Sequence, residues 1–349
     1  MKQSGALAQS DQPKISDVAK RAGVSTATVS RVLSDPEKVT EETRLKVLNA
    51  VDETGYRVNQ MARNLRRNKT GAIVVLVPNL ANPFFSRILS AIAQVSSQRG
   101  FNVLIVDTRE THVSRGNIGQ YLDNNRCDGL IVLDGNLPQE MFSGTRRPPV
   151  VFACEWVDDH GHPAVMIDNR LGAEMAINHL IDLGHRKIGH LKGIEDNILT
   201  RQRLAGVEDA FAKRGYLPEQ LYLFEGDFSL EAGVEAAKHW LTLKEPPTGI
   251  FCASDVMAFG LIAELHRNGI SVPRHVSVVG FDDIEISAQF LPALTTIRQP
   301  RHDIGARAAQ LLCDVIEAGA GADTLTYEPD ILSVELIIRE SSAPNTTSV

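Results

Sequence analysis

Between Lys14 and Gly55 the apolar positions recur at the spacing of three short helices. Ile15, Val18, Ala19 and Ala22 make the first stripe. Its helix is expected over Ser16–Ala22, with Ser16 as cap, Asp17 complementing the N-terminal dipole and Gly23 at the stop. The turn Gly23-Val24-Ser25 leads into Thr26–Leu33, capped by Ser25 and turning Val29, Val32 and Leu33 inward. Thr40 opens a third helix, where Leu45, Leu48 and Val51 are expected to close the shared core before Gly55 ends it. Two helices joined by a tight glycine turn and covered by a third form a helix-turn-helix arrangement.

From Gly71 the period changes. Continuous apolar runs (GAIVVLVP, FNVLIVD, GLIVLD, VVFACE, IGHLKG, LYLFEG, GIFCAS, VSVVGFDD) alternate with helical stretches. Helices are expected over Phe84–Arg99, Ser114–Asn125, Gly172–Leu183 and Arg203–Arg214, and from Ser229 and Val256. Such alternation means buried parallel strands in α/β layers. The series has two similar halves that meet near Ile167-Asp168-Asn169. Three strand-like pieces follow: LTTIRQP, the run around Thr326–Glu328, and ILSVELIIRE.

Composition sharpens this picture in two places. A chain of 349 residues exceeds what one core usually holds, so at least two domains are expected. Its net charge of −7 argues against nucleic acid if the chain is read whole. Through Thr70, however, 13 Lys and Arg stand against 8 Asp and Glu, a balance of +5, and the remainder carries 23 against 35, or −12. That is the pattern of a basic reader on an acidic body. The N-terminal dozen residues have no apolar h-region and no run reaches the length of a membrane span, so a cytoplasmic protein with no membrane partner is expected. Cys127, Cys154, Cys252 and Cys313 are isolated, as reduced thiols are.

With Val29, Val32 and Leu33 inward, the second helix exposes Thr26, Ala27, Ser30 and Arg31. Small side chains let a helix approach a groove, and Arg31 suits a bidentate guanine contact. Lys14, Thr28 and Ser30 are placed to hold phosphates, and Ser25 belongs to the same surface. A generic three-helix bundle with a solvated face has the same pattern. What weighs against it is the segment Tyr56–Thr70, with Arg57, Arg63, Arg66, Arg67 and Lys69 and no acid. Leu65 beside Arg63 is an apolar wedge of the kind that opens a minor groove. In the body, ligands meet residues at the C-terminal ends of parallel strands. Those ends carry Phe84 and Phe85, Asp107, Asp134, Arg203, Phe228, Asp255, Asp282 and Asp283. Strand-end aspartates also cap the next helix, so Asp255 and Asp283 have a purely structural alternative.

The strings DVAKRAGVS, TVSRVL, VTEETR, GYRVN and ARNL, in that order, resemble the DNA-binding module of the LacI/GalR family of bacterial transcription regulators over residues 14–70. The resemblance implies that Thr26, Ala27 and Arg31 read the major groove, that Thr28 and Asn59 touch backbone, and that Leu65 sits on a hinge helix and enters the minor groove. Val58 departs from the proline usual there. The resemblance runs through about Glu340. It implies a two-lobed, periplasmic-binding-protein-like core of parallel sheets with an effector cleft between the lobes. The expected order is an arm at 1–12, the helix-turn-helix domain at 13–58, a hinge at 59–70, the core at 71–341 and a disordered tail at 342–349. Within the core, 71–168 plus 300–329 form one lobe and 169–299 plus 330–341 the other.

The resemblance also implies effector contacts at Phe84, Phe85, Arg203, Phe228, Asp255 and Asp282. Cys154-Glu155 departs from the Asp-Arg common in the family, which leaves Glu155 or Trp156 to supply the missing group. STATVSR, CASDVMAFG, LTTIRQPR and ELIIRE lean towards members that answer to nucleosides, with a sugar nearly as well supported. The implied partners are palindromic double-stranded operator DNA, a small polar effector and a second copy of the chain. Asp158-Asp159-His160-Gly161-His162 looks like a metal cluster, but no second ligand pair has metal spacing, so no metal or cofactor is expected. No Walker A, G-x-S-x-G or H-E-x-x-H pattern occurs, and an enzyme is not expected. A solute-binding protein, or an enzyme acting on a sugar or nucleoside, would use the same cleft.

Overall fold

The computed structural model describes residues 13–57, 70–109, 118–119, 126–142, 147–155, 161–319 and 328–345. The chain divides into two compact units, Met1–Asn68 and Lys69–Val349.

The first unit contains α1 (Ile15–Ala22), α2 (Thr26–Ser34) and α3 (Glu41–Thr54). Its core is Val18, Ala19, Val29, Val32, Val47 and Ala50. Two expectations fail here. Ser16 is not the cap of α1; the Asp17 carboxylate accepts the Lys14 N–H at 2.8 Å instead. Leu45 and Leu48 are 53% and 43% exposed, while Val47 and Ala50 are buried. The apolar positions of α3 cover two faces of the helix, and the core is built from valine and alanine. Close helix approach selected the face with the smaller side chains.

The second unit has two six-stranded sheets. The first takes β1 (Ala72–Val77), β2 (Asn102–Asp107), β3 (Gly129–Val132), β4 (Val150–Ala153), β5 (Ala164–Ile167) and, from far along the chain, β11 (Asp330–Leu332). Their order is β11-β5-β4-β3-β1-β2, and every pairing is parallel. Val75 lies opposite Ile105 on one side and Ile131 on the other, so the central strand is buried on both faces. The second sheet takes β6 (Ile188–Leu191), β7 (Leu221–Phe224), β8 (Gly249–Cys252), β9 (Ser277–Asp282), β10 (Thr295–Arg298) and β12 (Glu335–Ile337). Its order is β12-β10-β9-β8-β6-β7, parallel except for β12 against β10.

Helices cover both sheets. In chain order they are α4 (Phe85–Gln98), α5 (Asn169–Asp182), α6 (Ile198–Lys213), α7 (Leu230–Thr242), α8 (Asp255–Arg267) and α9 (Arg301–Ala318). The sequence reading missed β5 and α9. Arg203 lies inside α6 rather than opening it. The helix expected over Ser114–Asn125 lies outside the described residues except for 118–119, which are helical, and the run expected around Thr326–Glu328 lies outside them through residue 327.

The chain passes between lobes three times: at Asp168, at Gln299–Pro300, and at Ser333–Val334. The last crossing splits ILSVELIIRE into β11 and β12, which belong to different sheets. The expected lobe boundary at 329/330 is therefore corrected, since Asp330–Leu332 pairs with β5. Apolar periodicity says that a stretch is a strand but not which sheet edge it joins. The expected tail at 342–349 is corrected over 342–345, and 346–349 lie outside the described residues. Ser342 Oγ bonds Thr295 Oγ1 and His179 Nε2, Ala343 N–H donates to Ser277 Oγ, and Asn345 N–H donates to Leu183 O. His185 is buried in this fastening against Thr248 and Ala343 O, and burial pushes its pKa down to about 4.

The α4–α9 crossing explains Gly305. A Cβ there would stand 2.3 Å from the carbonyl oxygen of Ile88. Gly305→Ala is therefore expected to destabilise the core by about 1–3 kcal/mol. The exposed control Gln310→Ala in the same helix should stay within about 0.5 kcal/mol. Urea unfolding followed by circular dichroism measures both.

Candidate functional site

On the first unit, Ser25 caps α2: its Oγ accepts the Thr28 N–H at 3.1 Å and pairs with Thr28 Oγ1 at 2.9 Å. Capping fixes the start of α2, and burial of Val29 and Val32 fixes its rotation. The opposite face is a shallow concavity lined by Ile15, Thr26, Ala27, Ser30, Arg31, Ser34 and Asp35. Thr26, Ala27 and Arg31 are exposed, Ser30 is half-buried, and Lys14 is exposed just ahead of α1. Asn59, Arg63 and Leu65 lie outside the described residues, as does Trp156.

The core holds a cavity of about 350 Å³ whose walls come from the strand ends of both sheets. Phe84, Phe85, Glu155, Arg203, Phe228 and Asp282 all line it. Phe84 and Phe85 meet edge to face, with centroids 5.0 Å apart. Phe228 follows β7 and lies against Gly193, where any side chain would collide with its ring. Backbone strain collects here. Among the described residues Cys154, Phe228, Asp282 and Asp283 are the non-glycines with positive φ, and the first three line the cavity.

Arg203 is 3% exposed. Its guanidinium lies 3.8 Å from the centre of the Phe281 ring. Nε donates to Asn169 Oδ1 at 3.0 Å, and Nη1 donates to Ala253 O. Both acceptors are neutral. Burial lowers the pKa of this arginine, and the charges of Asp282 and Glu155 act against that shift. Asp282 accepts from Gln299 Nε2 at 2.7 Å, and burial holds its pKa well above the usual carboxylate range, with Asp255 adding repulsion. Glu155 Oε2 accepts from Gly135 N–H at 2.9 Å and from Asn197 Nδ2 at 3.0 Å. Burial pushes the Glu155 pKa up to about 7, and the nearby charge of Asp134 contributes. Asn197 Oδ1 accepts the Leu199 N–H as the cap of α6, so the Asn197 amide nitrogen is the end left for Glu155. One hydrogen bond therefore joins lobe to lobe inside the cavity.

Asp107 accepts the Leu80 and Arg109 N–H groups, and it, Asp134, Asp255 and Asp283 are the four strand-end candidates not brought into the lining. Asp134 is buried behind it and holds a turn, accepting from Thr108 Oγ1 and from Asn136 N–H. Asp255 is fully buried and accepts from Ile284 N–H at 2.9 Å, Ser287 Oγ at 2.6 Å and Thr296 Oγ1 at 2.5 Å. It ties α8 to β10 and to the loop after β9. The carboxylate of Asp283 is likewise taken, by Arg298 and Arg339. For these acids the strand-end position marked a structural role. The sequence reading also missed Asn136, Asn197 and Gln299, which line the cavity. Asn136 and Asn197 follow strand ends, where amides terminate turns or cap helices, and position alone does not separate those uses.

Raised carboxyl pKa values carry a testable sign. The stability contributed by Glu155 is complete below its unfolded value near 4.5 and is lost as pH rises through about 7. Glu155 should therefore contribute a fall in the melting temperature of the ligand-free chain between pH 5.5 and 8.5, opposite in sign to the buried His185 and His190. In Glu155→Gln the change over that range should be more positive by about 5 °C. Scanning calorimetry at four pH values checks it, and equal slopes would refute the assignment.

Comparison with known proteins places both units. Residues 14–59 match the family described as bacterial regulatory proteins, lacI family, and residues 177–342 match the periplasmic binding protein-like domain. The chain is similar to the HTH-type transcriptional repressor CytR of Escherichia coli (strain K12), 38% identical over 331 residues, which cover 93% of this chain and 95% of that protein. It is 34% identical to the HTH-type transcriptional repressor PurR of Photobacterium profundum, covering 94% and 98%. Among solved structures, the lac repressor dimer bound to operator and the anti-inducer ONPF superposes with a TM-score of 0.82 at 28% identity, covering 95% of this chain and all of that one.

Proposed function

The chain belongs to the LacI family of bacterial regulatory proteins, and from that premise we propose how its residues divide the work of a DNA-binding transcriptional repressor with an effector-binding core. The named relatives are repressors, which removes the enzyme and transport readings. Thr26, Ala27 and Arg31 read base edges in the major groove, Arg31 by a bidentate contact. Lys14, Ser25, Thr28 and Ser30 hold phosphates and set register. Asn59 completes the set as a backbone contact on family resemblance, and Leu65 as a minor-groove wedge beside Arg63 on both that resemblance and the composition of the segment. Two protomers pair and place their reading helices on palindromic half-sites. Such work on DNA belongs in the cytoplasm, and no described helix is long and apolar enough to cross a membrane.

The observation that carries the other half is the cavity itself: three phenyl rings and a set of buried hydrogen-bonding groups meet where the two lobes meet. Its volume is that of a small-ligand site. Phe84, Phe85 and Phe228 offer faces for a flat ring, while Arg203, Glu155, Asp282, Asn197 and Gln299 offer partners for hydroxyl and amide groups. A nucleoside fits this combination, and a sugar is the second reading. Occupancy changes the angle between the lobes and with it operator affinity, a coupling between two sites.

A thermal-shift screen with cytidine, adenosine, uridine, free bases, ribose and cellobiose tests the ligand class. At about one hundred times its dissociation constant a true effector stabilises the fold by about 2.7 kcal/mol. A nucleoside hit supports the reading, and hits confined to sugars discard it in favour of the second. On the DNA side, Arg31→Ala should cost about 1–3 kcal/mol at one operator position and relax preference there. A uniform loss across sequences, measured by competition binding, would make Arg31 a phosphate contact instead.

A further inference from the structure

Arg301 lies beneath the cavity without lining it. It is the first residue of α9, directly after the crossing at Gln299–Pro300, and only 3% of it is exposed. Its fork reaches both lobes. Nη1 donates to the carbonyl of Phe84 at 3.4 Å, in the loop after β1 of the first sheet. Nη2 donates to the carbonyl of Asp283 at 3.0 Å and to Glu285 Oε1 at 3.1 Å, both in the loop after β9 of the second sheet. Glu285 is gripped a second time from the first lobe, by the guanidinium of Arg87 in the opening turn of α4.

The groups that Arg301 holds are those whose neighbours form the cavity walls. The ring of Phe84 lines one wall, and Asp282, next to Asp283, lines the other. Asp282 and Asp283 have φ of 125° and 51°, a consecutive pair in a region that non-glycine residues rarely adopt. Arg298 and Arg339 bind the Asp283 carboxylate while Arg301 binds its carbonyl, so the strained pair is fastened from both sides. A shift of the Phe84 carbonyl against that of Asp283 cannot occur without breaking this fork or moving α9.

The geometry points to Arg301 as a positioning residue for the cavity, acting with Glu285 as the contact through which the contents of the cavity bias the angle between the lobes. This rests on the reading of the cavity as the effector site. A planar fork with several donors serves here where a single ammonium does not, because three acceptors in two lobes lie around one guanidinium. Asn197 and Glu155 join the lobes as well, but by one hydrogen bond between two lining residues. Arg301 leaves the interior of the cavity free.

The test needs no ligand and uses the full chain. All four native cysteines are buried, so Ser97→Cys in the first lobe and Lys244→Cys in the second, both exposed, can be spin-labelled selectively. Excess unlabelled chain leaves at most one labelled protomer per oligomer, and pulsed electron resonance then gives the distance between lobes. The unaltered background is expected to show one narrow distribution. Glu285→Gln and Arg301→Lys should each shift or broaden it beyond that width. Arg307→Ala, on the same helix as Arg301, breaks an exposed ion pair with Asp330 of β11 and should leave it unchanged. Melting is recorded in parallel. A lowered melting temperature with an unchanged distance distribution in both variants would reduce Arg301 to a structural contact and overturn the proposal. Glu285 is half exposed, so Glu285→Gln decides the matter if Arg301→Lys fails to fold. Because no ligand is added, a failed effector screen would sink the reading of the cavity and leave this result intact.

Discussion

Three backbone crossings, at Asp168, Gln299–Pro300 and Ser333–Val334, bind the two sheets of the core. Strand β11 cannot pair with β5, nor α9 cover the first sheet, until the chain has run through β6 to β10 of the second lobe. The crossings hold the lobes together while leaving the space between their strand ends open. Ligand-lining side chains sit at those ends because a parallel sheet points the C-terminal ends of its strands the same way. Hinge and cavity are consequences of the same connectivity.

The interior of that cavity is electrostatically costly. A buried guanidinium donates to two neutral oxygens, and two buried carboxyls have raised pKa values close by. Burial that strips water from such groups is tolerated where each finds hydrogen bonds, and Arg203 adds the face of Phe281. The positive-φ residues gather at the same place. Desolvated charge and backbone strain together mark a surface shaped for a ligand rather than for stability. The acids that stability does use, Asp134, Asp255 and Asp283, are fully engaged behind the lining.

Local pattern carried far in this chain. Helical spacing with Ser25 and Gly23 located the three-helix unit, continuous apolar runs located most strands, and ordered motif blocks indicated the family. Candidate lining residues at strand ends were legible for the same reason: Phe84, Phe85, Phe228 and Asp282 follow apolar runs, and strand ends are where ligands meet parallel sheets. Glu155 came instead from the family resemblance, and Arg203 from a helix start that the structure moves to Ile198. Legibility failed where two faces or two partners were chemically equivalent. Leu45 and Leu48 were as apolar as Val47 and Ala50, and only the approach of α1 decided between them. The eighteen residues of α9 carry their buried Ile304, Ala308, Leu312 and Ile316 at helical spacing between two strand-like pieces.

What the sequence determined by itself is what depends on near neighbours: where helices start, which stretches are strands, which unit is basic, and which motif blocks occur in order. Those follow from capping, periodicity and charge, which act over a few residues. The tertiary structure alone decided that ILSVELIIRE feeds two sheets, that residues 342–345 are fastened to the second lobe, and that Asp255 supports the fold while Asp282 faces the cavity. Each of these turns on a contact between residues distant in sequence. Whether a carboxyl meets three protein donors or an open cavity is a property of the packed neighbours, and no local pattern contains it.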